Sequence, residues 1–207
     1  HNIYFAACGG SKAGLTTADF FLKCEAAKLE SHVYTAKEFV LCPPKAFDSN
    51  SIVVTLSASG NTPEAVEAAE ALRFAVELLQ QTEGYEHYDE IRKGFDILDD
   101  VIKKAREYAE TGAMRFAEEH REDKVLYVIA SGANYNVAYT TTTCILMECQ
   151  WIHSNPIHSG EFFHGPFEVV DKEVPFLVLE GTGRERIMDE RAAEFLKKYG
   201  RRTLSFG

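Results

Sequence analysis

The sequence predicts an α/β fold built on parallel β-sheets with helices on their faces. Two observations lead to this class. Short apolar runs alternate with helical stretches along the 207 residues, which is typical of parallel sheets covered on both sides. The order strand, glycine, helix also occurs twice, near the start and again in the second half. This repetition indicates two related α/β halves.

The first half contains three predicted strands. "IYFAAC" (Ile3 to Cys8) is a short buried strand that runs into Gly9-Gly10-Ser11 and then into a helix. "HVYTA" and "SIVVTLS" are the second and third strands, and the next helix spans Thr62 to Leu72. Each strand is therefore followed by helical sequence, as parallel pairing requires.

The second half repeats this order. Three strands and two helices are predicted: strand Lys124 to Ser131, which ends in Gly132; a helix from about Tyr135 to Ile152; strand Val174 to Gly181; a helix from Asp189 to Tyr199; and the strand "RRTLSFG".

One connection breaks the alternation. The helix that ends near Arg73 should return to a strand, but Phe74 to Leu79 continues as helix without a turn signal. We therefore expect residues to be absent between Arg73 and Phe74. Because the chain starts and stops on strands, we expect its ends to be incomplete as well.

A long helical repeat separates the halves. Apolar residues between Tyr88 and His120 recur at spacings of three and four, which predicts a linker helix packed on the domain by one face. The predicted organisation is a first domain at 1–87, a linker at 88–120 and a second domain at 121–207.

Composition excludes some partners. The net charge of −10 and pI of about 5.2 argue against nucleic acid or an anionic membrane as the main partner. No apolar run approaches the roughly 18 residues of a membrane span, and the start lacks the features of a signal peptide. The five cysteines form no metal-ligand spacing and lie in apolar settings, which predicts buried free thiols in a reducing cytoplasm.

Hydroxyl side chains follow two of the first-half strands. Ser57, Ser59 and Thr62 surround Gly60 and Asn61 after the third strand, and Ser11 follows Gly10 after the first. Thr62 alone is explained by helix capping before Pro63. The additional hydroxyls at helix N-termini favour a bound anion, and a small phosphorylated substrate suits them better than a nucleotide because the Walker lysine is lacking.

Glu148 is the strongest candidate for a catalytic base. If its helix is α-helical, its neighbours at three and four positions are Cys144, Ile145, Trp151 and Ile152, so the carboxylate is predicted to lie on an apolar stripe. Burial tends to raise a carboxylate's pKa, as a carbon-acid base requires. A structural glutamate, or a helix rotated so that Glu148 reaches water, remains the alternative.

The turn-rich segment Ser154 to Pro166 contains His158, Glu161 and His164. Its spacing matches no zinc motif, so His164 is better explained as a proton carrier or as a packed loop histidine. Nucleophilic catalysis by Cys8 or Ser59 has no supporting motif.

Together, "CGGS", "SASGNT" and "LMECQWIHSNPIHSGEFFHGPFE" resemble the sugar isomerase (SIS) domain family in two tandem copies, and are similar to its 6-phosphofructosamine deglycases. The resemblance implies two SIS domains, each a flavodoxin-like parallel sheet in a three-layer αβα arrangement. Ile145 replaces a lysine found in the related glucosamine-6-phosphate synthase, which agrees with the deglycases.

The resemblance also implies the roles of individual residues. Glu148 would move a proton between C1 and C2 of the sugar, and His164 would act as acid, reaching in from the partner chain of a homodimer. Phosphate would be bound by Ser11, Ser57, Ser59 and Thr62, with weaker substrate contacts from Gly10, Gly60, Asn61 and Gly132.

The activity implied is cleavage of a phosphorylated sugar-amine, a 6-phosphofructose-amino acid, into glucose 6-phosphate and the amino acid, with no metal or organic cofactor. A phosphosugar isomerase or an aminosugar-phosphate deaminase would use the same glutamate. A non-enzymatic phosphosugar sensor is the second alternative, although it would have no need of Glu148.

Overall fold

In a computed structural model, the chain divides into two compact units, His1–Ile91 and Arg92–Gly207. The structure describes residues 1–56 and 64–207, with the backbone alone for 64–69. Each unit contains one parallel sheet flanked by helices, so the predicted α/β class is confirmed.

The first unit has the strand order β2-β1-β3, and both pairings are parallel. Helices α1 and α3 pack on one face of this sheet, where Ile3, Phe5, Leu15 and Leu79 are almost fully buried. The elements of this unit are β1 (Asn2–Ala7), α1 (Gly9–Glu25), β2 (Glu30–Thr35), α2 (Ala36–Leu41), β3 (Ile52–Thr55) and α3 (Glu64–Glu83), and α4 (Tyr88–Asp96) spans the boundary to the second unit.

Helix α3 runs without interruption through Arg73 and Phe74. Within the described residues, β3 is therefore an outer strand of a three-stranded sheet. Its apolar side chains are only partly covered, since Ile52 is 36% and Val53 43% exposed. The first sheet thus stops one strand short of the second sheet, which has four.

The second unit has the parallel strand order β5-β4-β6-β7. Ile129, Phe176, Val178 and Leu196 form the centre of its core. Its helices and strands are α5 (Leu98–His120), β4 (Val125–Ala130), α6 (Asn134–Thr140), a π-helical segment (Thr141–Met147), β5 (His153–His158), 3-10 turns at Phe162–His164 and Pro166–Val169, β6 (Phe176–Leu179), α7 (Arg186–Tyr199) and β7 (Thr203–Phe206).

Strand β5 lies in a segment that sequence analysis treated as turn-rich. Its proline, Pro156, is unusual within a strand because proline cannot donate to a ladder. In the structure β5 is the edge strand of its sheet and Pro156 pairs with Val128 of β4. An edge strand tolerates proline because one side of it needs no donor.

The predicted linker helix is wrong in two respects. It is broken at Ile97, between α4 and α5, after a glycine at position 94 and before the acidic first turn formed by Asp99 and Asp100. Acidic residues favour a helix N-terminus, so this start was readable in the sequence. The predicted packed face is also largely uncovered, with Ile102 48% and Tyr108 75% exposed.

The cysteines likewise differ from the prediction of burial. All five are free thiols, four of them exposed and Cys144 partly buried. Among the described helices, none combines the length and the apolar character needed to cross a membrane.

Glu83, at the end of α3, binds the backbone of the turn that joins α1 to β2. Its carboxylate accepts hydrogen bonds from the backbone N–H groups of Ala27, Lys28 and Leu29 at 2.9, 2.8 and 2.9 Å. Burial acts to raise the pKa of Glu83, but these three donors outweigh it and hold the pKa below the ordinary 4.5.

We expect Glu83→Gln to lower the melting temperature at pH 7. Because the folded-state pKa is lowered, the stabilisation is present above the unfolded pKa and is lost as pH falls through the folded value. The melting temperatures of the variant and the wild-type protein, measured by calorimetry, should therefore approach each other below about pH 4.5. Glu86→Gln is the control, because the side chain of Glu86 is 85% exposed. A pH-independent difference would contradict the role of the ionised carboxylate.

Candidate active site

The first predicted anion site begins where β1 meets α1. Gly9 adopts a left-handed conformation (φ 57°), which a glycine accepts without strain, and Gly10 and Ser11 lie in the first turn of α1. The N-cap residue Cys8 makes no side-chain capping bond, and the first turn contains no acidic residue. Backbone N–H groups there remain without side-chain caps, which suits an anion.

The second predicted anion loop follows β3. Thr55 of β3 pairs with Ala6 of β1, so the two strands deliver their carboxyl ends to the same sheet edge. The predicted ligands Ser57, Ser59, Gly60, Asn61 and Thr62 lie outside the described residues. Their assignment stays a prediction.

Glu148 is the first residue after the π-helical segment, and it is exposed within the chain. The prediction that it lies on a buried apolar stripe is therefore wrong for the single chain. Leu146 and Ile152 pack on the core of the second unit, whereas Ile145 is 48% and Trp151 83% exposed. Of these four apolar side chains close to Glu148 in sequence, two are covered by the core and two are exposed.

The threonine run before Glu148 explains this difference. The hydroxyl of Thr142 donates to the carbonyls of Ala138 and Tyr139 at 2.9 and 3.1 Å, and that of Thr140 to Asn136 at 3.1 Å. Such back-bonding competes with the α-helical ladder. The helix widens into a π segment and ends at Met147 rather than Ile152, so the α-helical neighbour spacing used in the prediction does not apply.

His164 closes the 3-10 turn that follows β5, and its side chain is exposed. The turn is anchored by Phe162, which is fully buried. His158 is the packed histidine of this segment, since its Nδ1 accepts the Gly160 N–H at 3.1 Å and its ring contacts Tyr135. Within the described residues, no group of three His, Cys, Asp or Glu side chains is placed to hold a metal ion.

The segments that carry Glu148 and His164 pack on opposite faces of the second sheet, since Leu146 and Ile152 belong to the cluster around Val128, and Phe162 to that around Ile129. Glu148 precedes β5, whose first residue His153 donates its N–H to Lys124 just before β4. His164 follows β5, where the Ser159 N–H bonds to Ala130 at the end of β4. A strand of six residues spans roughly 20 Å. The sheet therefore stands between the two segments that carry this carboxylate and this imidazole.

The relatives of this chain decide its family. It is 35% identical to the fructosamine deglycase FrlB of Bacillus subtilis, over 97% of this chain and 75% of that protein. The chain belongs to the deglycase family of sugar isomerase proteins. A fructoselysine 6-phosphate deglycase of Escherichia coli O157:H7 is 26% identical over 95% of this chain and 70% of that protein. No protein-family model matches the sequence.

Solved structures agree with this deglycase family assignment. A Salmonella typhimurium crystal structure, named for a phosphosugar isomerase, superimposes with a TM-score of 0.91 and 34% identity, covering 99% of this chain and 77% of that one. The C-terminal domain of glucosamine-fructose-6-phosphate aminotransferase from Francisella tularensis gives a TM-score of 0.80 over 99% of this chain and 71% of that one, at 18% identity. The second similarity concerns the fold alone.

Gly132 has a neighbour that was not predicted from the sequence, the side chain of Glu185. Gly132 follows β4 with φ 56°, and a Cβ built on it would lie 2.5 Å from Oε1 of Glu185. Cβ atoms built on Gly181 and Gly183 would meet the same carboxylate at 3.0 and 2.4 Å. The glutamate thus occupies the carboxyl-end crevice of the second sheet, and its negative charge there disfavours a phosphate at Gly132.

A buried polar cluster lies next to this crevice. Asp189, in the first turn of α7, is fully buried and accepts hydrogen bonds from Ser131, Ser159 and Gly181. This cluster was not predicted, although both serines directly follow strands. The same pattern, hydroxyl side chains directly after a strand, predicted the anion site of the first half.

We expect Gly132→Ala to destabilise the second unit. The left-handed backbone alone costs roughly 1–2 kcal/mol for a residue with a Cβ, and displacement of Glu185 adds to it. In a Glu185→Ala background, the penalty measured by urea denaturation should fall to the backbone contribution. An equal penalty in both backgrounds would show that the Glu185 contact does not limit this position.

Proposed function

We propose that the chain is a 6-phosphofructosamine deglycase. It cleaves 6-phosphofructose-amino acid (Amadori) compounds to glucose 6-phosphate and the free amino acid. The observation that carries the proposal is the 35% identity, over nearly the whole chain, to a protein named for fructosamine deglycation. The exposed carboxylate of Glu148 and imidazole of His164 supply the acid–base groups that this reaction needs.

The chemistry follows from anchoring the phosphate. Ser11 at the α1 N-terminus, together with Ser57, Ser59 and Thr62, would hold the sugar 6-phosphate and so fix C1 and C2 relative to the base. Glu148 removes a proton from C1 to give an enaminol, and protonation at C2 leaves an imine at C1. Water hydrolyses the imine, releasing the amino acid, while His164 transfers protons to and from oxygen.

A homodimer would complete each site. Because the segments that carry Glu148 and His164 pack on opposite faces of one sheet, we propose that a site that uses both draws His164 from a second chain. Exposed apolar side chains close to Glu148 in sequence are suited to such contact: Ile145 is 48%, Met147 40% and Trp151 83% exposed. Covering them would also exclude water from the carboxylate.

We also propose two tandem SIS domains, the first of which lacks a segment between Arg73 and Phe74. The alignment with the Bacillus subtilis relative runs over 246 positions but contains 97% of these 207 residues. At least about 45 positions of this alignment are therefore occupied in the relative but have no counterpart in this chain. The three-stranded first sheet, beside a four-stranded second one, agrees with a missing strand. The free thiols favour a reducing cytoplasm.

A phosphosugar isomerase is the second candidate, because structures of high similarity carry that name. Ile145, in place of the synthase lysine, favours the deglycase. Incubation with phosphorylated Amadori compounds separates the two: release of free amino acid supports the deglycase, and interconversion of sugar phosphates without amine release supports the isomerase.

Glu148→Gln should reduce turnover by about 10²–10⁴-fold, the usual contribution of a general base. Affinity for glucose 6-phosphate, measured by calorimetry, should stay within about threefold because the phosphate contacts remain. Glu118→Gln on α5, where the side chain is 75% exposed, is the control and should leave kcat nearly unchanged. Full activity of Glu148→Gln would remove the residue from the mechanism.

A mixed dimer should recover activity from two inactive variants. Chains carrying Glu148→Gln and His164→Ala, co-expressed with different tags and purified through both, leave one site with both native residues. We expect about half of the wild-type activity per dimer. Each pure variant is the control. An inactive mixed dimer would show that both residues act from the same chain.

A further inference from the structure

The carboxylate of Asp189 joins three strand ends of the second sheet. Its Oδ1 accepts the hydroxyl of Ser131 at 2.7 Å and that of Ser159 at 2.5 Å, and its Oδ2 accepts the Gly181 N–H at 2.9 Å. Ser131 directly follows β4, Ser159 directly follows β5, and Gly181 lies two residues beyond β6. One side chain of α7 therefore connects the ends of all three strands.

Burial makes these bonds strong constraints. Asp189 and Ser131 are 0% exposed and Ser159 is 2% exposed. A carboxylate without water must take its hydrogen bonds from the protein, and each bond it loses leaves a costly unsatisfied oxygen. Two serine hydroxyls and one backbone N–H supply the hydrogen bonds of Asp189, so the carboxylate fixes the strand ends directly.

Ser159 starts the turn that carries His164. Its carbonyl accepts the Phe162 N–H at 3.3 Å, and the Glu161 carbonyl accepts the His164 N–H at 2.9 Å. The buried Phe162 holds the middle of the turn. If the Ser159 side chain moves, the hydrogen-bonded backbone of this turn is therefore expected to move His164, five residues later, with it.

We propose that Asp189, through Ser159, is a positioning residue for His164. It touches no reacting atom, and its effect on catalysis comes from holding the imidazole turn against the end of β4. The inference rests on the proposed function insofar as His164 is the acid. The position of the imidazole can nevertheless be measured without turnover.

The test compares two serines of the same strand region. Ser159→Ala removes the bond to Asp189. Ser154→Ala, the control, removes a hydroxyl bond from the start of β5 to the Leu126 carbonyl at 2.6 Å. Both variants lose one partly or fully buried hydrogen bond, but only Ser159 leads to His164. Asp189→Asn, which keeps the shape of the side chain, is the second variant if Ser159→Ala does not fold.

We expect Ser159→Ala to lower kcat by about 10–100-fold, since small misplacements of catalytic groups have effects of this size. KM should change by less than about threefold, because the phosphate site is elsewhere. In a His164→Asn background, Ser159→Ala should have almost no further effect on kcat. Ser154→Ala should leave kcat within about twofold in both backgrounds. Unchanged kcat in Ser159→Ala, or an equal loss with and without His164, would overturn the proposal.

A chemical probe separates this proposal from the deglycase function. The rate of His164 modification by diethyl pyrocarbonate, followed by peptide mass spectrometry in the full chain, should change at least about threefold in Ser159→Ala and stay constant in Ser154→Ala. A wild-type protein that releases no amino acid would refute the deglycase function, and this rate would still decide the positioning role. An unchanged rate in Ser159→Ala refutes positioning whatever the activity.

Discussion

A strand of a parallel sheet separates the segment before it from the segment after it, and β5 does this to Glu148 and His164. Its two ends are held to β4 by the His153 and Ser159 amides, and the segments beyond those ends pack on opposite faces of the sheet. A six-residue strand spans roughly 20 Å, which no side chain bridges. This arrangement of the second unit is the structural basis for the proposal that a site with both groups draws them from two chains.

The parts of the fold that follow from local apolar pattern were predictable. The strands around Phe5, Val54, Val128 and Val178 are short apolar runs bounded by glycine or polar residues, and such runs predict the strands of a parallel sheet from local sequence. β5 was missed because its sequence, with Pro156 and two polar neighbours, is acceptable only at a sheet edge. Edge position is a property of the assembled sheet and has no local signal.

The candidate site was predictable in its residue types but not in its exposure. Glu148 and His164 drew attention because a carboxylate among apolar residues and a histidine before glycine and proline are unusual locally. Whether the surrounding apolar side chains are covered depends on contacts beyond the chain segment. Asp189 was overlooked for a related reason: its three donors come from positions up to 58 residues away, and only the folded sheet brings them together.

The π-helical segment has a consequence for sequence change in this family. A π turn contains about one residue more than an α turn, so deletion of a single threonine between positions 140 and 143 would allow the ladder to close as an ordinary α-helix. Because the wider turn accommodates this extra residue, the side chains beyond the deletion, Glu148 among them, would keep roughly their present directions about the helix axis. Loss of one residue is therefore better tolerated inside this segment than in the α-helical turns of α6, where it would rotate every following side chain by roughly 100°.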